Sequence, residues 1–126
     1  MTRRAAAAFG VARALFGVAY LAAPERGARG WLGEDEARRG ATQMVFRSLG
    51  ARDLVLGAGA ASAAILSEDD SAPATWLLAH AVSDTVDAIA SQGAAGSIPE
   101  SGRRAAIAIA GGSAVVSVVL AAALLR

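Results

Sequence analysis

From Ala105 to Leu125 the chain runs for 21 residues without a charge, and Arg126 closes the run. As an α-helix this stretch is about 31 Å long at 1.5 Å per residue, close to the thickness of a bilayer's hydrocarbon core. It meets the usual requirement of 18 or more predominantly apolar residues for a transmembrane helix. Composition points the same way. Hydrophobic residues make up 55% of the 126 and charged residues 18%, against about 25% charge in an average soluble domain. Alanine alone is about a quarter of the chain and aromatics only 5%, so a water-soluble core would rest on small side chains that bury little area. In lipid that objection disappears, because small residues let helix backbones approach closely.

Three further helices are predicted. Ala5 to Ala23 is interrupted by Arg13 and followed by Pro24. A cleavable signal would keep its apolar region uncharged, so this segment reads as a retained first span. A second helix is expected over residues 42–66 and a third over 74–92, with the last over 105–125. All belong to one domain covering residues 1–126. On the second helix Gly50, Asp53, Gly57, Ala61 and Ala64 share one face, a smooth surface suited to another helix. Residues 24–41 read as a polar connection whose charges cancel. Trp31 beside Leu32 suggests a short piece at headgroup level, or else a solvated loop. Ser67 to Pro73 is a tight acidic turn, and residues 93–104 form a Gly/Pro/Ser connector. Counting arginines places the connections between helices one and two and between helices three and four in the cytoplasm and both termini outside, although Arg3 and Arg4 ahead of the first helix argue for the reverse. The fold class is therefore all-α, a four-span antiparallel bundle, with a soluble four-helix bundle as the alternative.

The charges inside these helices are where any chemistry would sit. Arg13, Arg47 and Arg52 face Asp53, Asp84 and Asp87 in number, three against three. Intramembrane charges cost about 2.5–3.5 kcal/mol each on insertion scales, so they need partners. On the third helix His80, Asp84, Asp87 and Ser91 fall within an arc of roughly 60° at 100° per residue. Depth matching predicts Arg13 with Asp84 or Asp53 near mid-membrane and Arg47 with Asp87 nearer the surface. Tyr20, two turns from Arg13, adds a hydroxyl. If the arginines face Asp84 and Asp87, Asp53 is the carboxylate left to act as an acid or base. Two interpretations stay open: a structural network that fixes helix register, and a polar cavity that binds a small amphiphile or carries protons.

Other chemistries find little support. All twelve basic residues are arginine and the net charge is only +1, with no basic stripe of the kind nucleic acid requires. There is no cysteine, hence no disulfide or thiolate ligand. His80, Asp84 and Asp87 could converge on a metal, but three ligands from one helix seldom enclose an ion and neighbouring arginines repel it. No metal or cofactor is expected, and no phosphate-binding loop, nucleophile elbow or zinc-protease motif is present.

Arg13-Ala14-Leu15-Phe16-Gly17, the run Arg47-Ser48-Leu49-Gly50-Ala51-Arg52-Asp53-Leu54-Val55-Leu56-Gly57, and Trp76-Leu77-Leu78 leading into Asp84-Thr85-Val86-Asp87-Ala88 together resemble small actinobacterial four-helix membrane proteins of an uncharacterised domain family, similar in layout to DoxX-like proteins. The resemblance implies an integral membrane protein without an assigned activity, and it supplies no catalytic residue. The expectation is a multi-pass protein of the bacterial cytoplasmic membrane, non-enzymatic, acting as a binding, accessory or structural component. Its partners would be the bilayer, a lipophilic small molecule, a second copy or another membrane protein, and not nucleic acid. The alternative is a small membrane enzyme or proton-coupled carrier using Asp53, Asp84 and Arg13.

Overall fold

The computed structural model describes residues 1–126. Helix accounts for 87% of the chain and there are no strands. Six helices follow in order: α1 Thr2–Ala22, α2 Pro24–Leu32, α3 Glu34–Ala37, α4 Gly40–Leu66, α5 Ser71–Gly93 and α6 Glu100–Leu124. The four long ones lie where hydropathy predicted them, but α4, α5 and α6 begin two to five residues earlier than expected. Polar residues outside the apolar runs still form helical hydrogen bonds, which hydropathy does not register.

Residues 24–41 are not a simple loop. Pro24 ends α1 because it has no N–H to donate, and the same ring then serves as the first residue of α2. Gly33, at φ 88°, separates α2 from α3 in a conformation other residues rarely adopt. Along α2, Pro24 and Ala28 are buried. Trp31 turns inward, its ring edge-on to Phe46 at 5.6 Å, and its carbonyl lies so close to Gly102 of α6 that no side chain fits there. So α2 runs across the end of the bundle and closes it.

α1 and α4 form the tightest pair. Gly10 lies opposite Gly57 and Gly17 opposite Gly50, and a β-carbon on any of them would run into the facing backbone. The helices are antiparallel, with glycines seven residues apart on each. The face of α4 bearing Gly50, Asp53, Gly57, Ala61 and Ala64 is buried. α5 packs on α4 and, most extensively, on α6. α6 meets it with a stripe of small residues, Ala106, Ala110, Ala114, Ser117 and Ala121. α1 and α6 touch along little of their length.

Three helices, α1, α4 and α6, are long and apolar enough to cross a membrane. α5 has the length, at 23 residues, but its polar side chains lower its hydropathy. The distribution of side chains is the reverse of a soluble protein's. Asp53, His80 and Asp84 are buried, while Val11, Leu15, Val55, Ile65, Val82, Ile89, Val115 and Val119 stand exposed. In water such a surface would be an aggregation hazard; against lipid chains it is what a span requires.

Candidate functional site

The charged residues of three helices join in one linear chain. Arg13 of α1 reaches across with a single nitrogen, Nη2, which donates to Asp84 Oδ1 of α5 at 2.7 Å and to Asp53 Oδ1 of α4 at 3.1 Å. Asp53 Oδ1 also accepts from Arg52, Nε at 3.3 Å and Nη2 at 3.1 Å. Arg52 in turn forks onto Asp87, with Nη2 at 2.6 Å from Oδ2 and Nη1 at 3.0 Å from Oδ1. The order is carboxylate, guanidinium, carboxylate, guanidinium, carboxylate. Both ends are negative. Bidentate guanidinium–carboxylate contacts are the strongest hydrogen bonds of this class, and burial strengthens them further. Asp84 is 1% exposed and Asp53 4%, so neither charge could be sustained there without its arginine.

The local geometry explains how each side chain arrives. Asp53 sits on the glycine face of α4, midway between Gly50 and Gly57, where α1 comes closest. Arg13 occupies the matching position on α1, between Gly10 and Gly17, and passes beside α4 toward α5. Asp84 and Asp87, three apart on α5, point to the same side, one to Arg13 and one to Arg52.

Around this chain lies a cavity of about 20 Å³, enough for roughly one small group. The five charged residues line it together with Phe16, Tyr20, Trp31 and Leu49, and with Ile109 and Ala110 of α6. Tyr20 contributes its ring, edge-on to Phe16 at 5.2 Å and to Phe46 at 5.3 Å, while its hydroxyl takes no part in the ion chain. Trp31 of α2 closes one end. Phe16 and Ile109, both about half exposed, flank the loosely closed seam between α1 and α6.

Two expected placements differ. Arg47 does not meet Asp87. It is exposed in a groove with Pro24, Glu25, Arg29 and Gln43, on the far side of α4. Arg52 takes its place. Depth favoured Arg47, but five residues turn a helix by about 140°, and it is Arg52 that points toward α5. Asp53 is not the spare carboxylate either, since it receives both arginines. The oxygen without a partner is Asp84 Oδ2.

His80 and Ser91 share the buried face of α5 but lie outside the cavity lining. His80 is fully buried, edge-on to Phe9 at 5.6 Å, and neither ring nitrogen has a hydrogen-bond partner. Ser113 and Ser117 of α6 are likewise without partners. The Ser113 hydroxyl lies alongside Asp84 without hydrogen-bond geometry. These two serines were missed in the sequence, although they are the only polar residues between Ala105 and Leu125 and stand one turn apart. Beyond His80 the bundle is sealed by Ala6, Ala64, Ala74, Leu77, Ala121 and Leu124. No group of three or more His or carboxylate side chains is arranged to hold a metal ion; the carboxylates converge on guanidiniums instead.

A family model for a domain of unknown function, DUF4267, matches residues 10–124. The chain belongs to that family. The matched span takes in Arg13, Asp53, Asp84 and every residue that lines the cavity. No curated protein and no solved structure matches the chain. For this DUF4267 protein, function has to be argued from the site itself.

Proposed function

We propose that the protein is a four-span membrane protein of the bacterial cytoplasmic membrane, non-enzymatic, serving as a binding or accessory component through the cavity at its Arg/Asp chain. The case for α5 as a fourth span rests on its sidedness. Its outer surface carries Leu78, Val82, Val86 and Ile89, all exposed, and its polar residues His80 and Asp84 turn inward. Flanked by α4 and α6, it needs no continuous hydrophobicity, because lipid would touch only the apolar side.

One observation carries the binding reading: the ion chain lines a small, partly enclosed cavity whose walls include the half-exposed Phe16 of α1 and Ile109 of α6. A through-path for protons would need a polar exit where the alanine and leucine cluster stands. Every carboxylate in the cavity already accepts from a guanidinium, which favours holding a ligand over turning one over.

Membrane fractionation followed by an alkaline carbonate wash tests the first half. The protein is expected in the washed pellet, and recovery as a folded soluble monomer would overturn it. Native mass spectrometry of detergent-purified protein tests the second half. An adduct of stoichiometry one, lost on Asp84→Asn, is the expected result; a bare chain throughout would leave only the structural role.

A further inference from the structure

We infer that the cavity takes the ammonium head of a primary alkylamine, whose tail stays in lipid between α1 and α6. The inference rests on the binding reading above and names its ligand. Its basis is a charge imbalance. Asp53, Asp84 and Asp87 line the cavity against only Arg13 and Arg52, because Arg47 stands outside the bundle. His80 does not supply the third cation, as it touches no carboxylate and neither ring nitrogen has a partner. One negative charge is left over in a region shielded from water, where an unpaired charge is most costly.

The residual charge has a location. Asp84 is 1% exposed, lines the cavity, and keeps Oδ2 unpartnered while Oδ1 is held by Arg13; the Ser113 hydroxyl alongside is neutral and leaves the charge uncompensated. Buried carboxylate oxygens without donors are rare, and a donor bearing positive charge resolves both deficits at once. An ammonium also suits the walls. The rings of Phe16, Tyr20 and Trp31 present π-faces and edges around the same space, and aromatic faces attract cations. The two guanidiniums oppose a cation, yet three carboxylates outnumber them.

Size narrows the class. About 20 Å³ admits a group the size of water, which fits a primary ammonium and excludes a trimethylammonium or a sugar. The rest of the molecule must stay outside. Phe16 and Ile109, at the loosely closed seam, belong to the apolar outer surface, so what lies there is an aliphatic chain. The same chemistry is offered by a free lipophilic amine and by an ethanolamine lipid headgroup.

The test uses the full chain in a non-ionic detergent, with n-hexylammonium as probe and hexanol as its uncharged counterpart, read by isothermal titration. Saturable binding of one hexylammonium per chain is expected, with hexanol weaker by about tenfold or more, the effect of one charge-assisted hydrogen bond. Asp84→Asn should weaken hexylammonium binding by a similar factor. Should that variant fail to fold, Ile109→Trp, on the lipid-facing side of the seam, should block the mouth and cause a comparable loss with the unfolding temperature unchanged. Equal binding of hexanol and hexylammonium, or full affinity in the folded variants, would overturn the inference. Displacement of the probe by dihexanoyl phosphatidylethanolamine would assign the site to a lipid headgroup, and its absence to a free amine. If native mass spectrometry finds a different adduct that still depends on Asp84, the amine fails while the binding role stands.

Discussion

α1 uses two sides for opposite purposes. Toward α4 it presents Gly10 and Gly17, and the backbones approach until no β-carbon fits between them. Toward α6 it presents Phe16, and the helices scarcely meet, leaving the cavity mouth. Helix association in lipid gains little from hydrophobicity, since the solvent is as apolar as the side chains. What holds the first side together is close van der Waals packing of small residues. What can be spared on the second is contact area, and a cavity lies beside the gap. Arg13 lies between the two sides, anchoring on Asp53 across the tight one and lining the open one.

Removing Arg13 should therefore do the most damage. Arg13→Ala leaves Asp53 with one partner and Asp84 with none, and breaking a buried pair costs about 3–5 kcal/mol. Thermal unfolding in detergent should show it, whereas Arg47→Ala, at an exposed position, should change stability by less than about 0.5 kcal/mol. Equal effects would mean that the ion chain does not hold the helices. Gly57→Val comes next. Its side chain would meet Ala14 and Gly10 backbone, and overpacking of this kind costs about 1–3 kcal/mol or more. The converse glycine is Gly112 of α6, with nothing near it; Gly112→Ala should stabilise by about 0.5–1 kcal/mol. A similar loss at both glycines would refute the contrast between packed and open faces.

The smallest effect concerns the polar ends, outside the lipid. Hydrogen bonds from Arg103 and then Arg104 hold the Glu100 carboxyl below its usual range. Bonds from the Ser71 hydroxyl and amide do the same for Asp69. For a depressed carboxylate the stabilisation is complete above the unfolded value of roughly 4 and is lost as pH falls through the lower folded one. Hydrogen exchange between pH 6 and 3 should thus show the first turns of α5 and α6 loosening as acid is added, with the middle of α6 unaffected. Uniform loosening would place the acid-sensitive groups elsewhere.

Much of this could be read in the residues. Long apolar runs impose helices, and the shared face of Gly50, Asp53 and Gly57 announced a close neighbour. Depth along the helices brought Arg13 to Asp53 and Asp84. What escaped was rotation and reach. Depth chose Arg47 for Asp87, but the partner is Arg52, because the choice depends on which side of α4 faces α5. α2 escaped for another reason: nine residues with a proline and two glycines have weak intrinsic helicity, and the helix exists because Pro24, Ala28 and Trp31 pack beneath α4 and α6. Ser113 and Ser117 were overlooked because a charge-free run drew attention to its length and not to its two hydroxyls.

The glycine spacing on α1 and α4 has a consequence for assembly. Two marks seven residues apart on each helix form a ruler that still matches at one of its two marks when one helix slides by a full interval. Sliding one way would set Gly10 against Gly50 and bring Arg13 level with Arg47; sliding the other would set Gly17 against Gly57 and strand Arg13 beside Ala61. Backbone fit favours the native alignment by one glycine pair and leaves the other two equal. The Arg13–Asp53 contact distinguishes them, rejecting one by repulsion and the other by an unmatched charge. The pair thus carries its own proofreading step, completed as the helices come together in the bilayer.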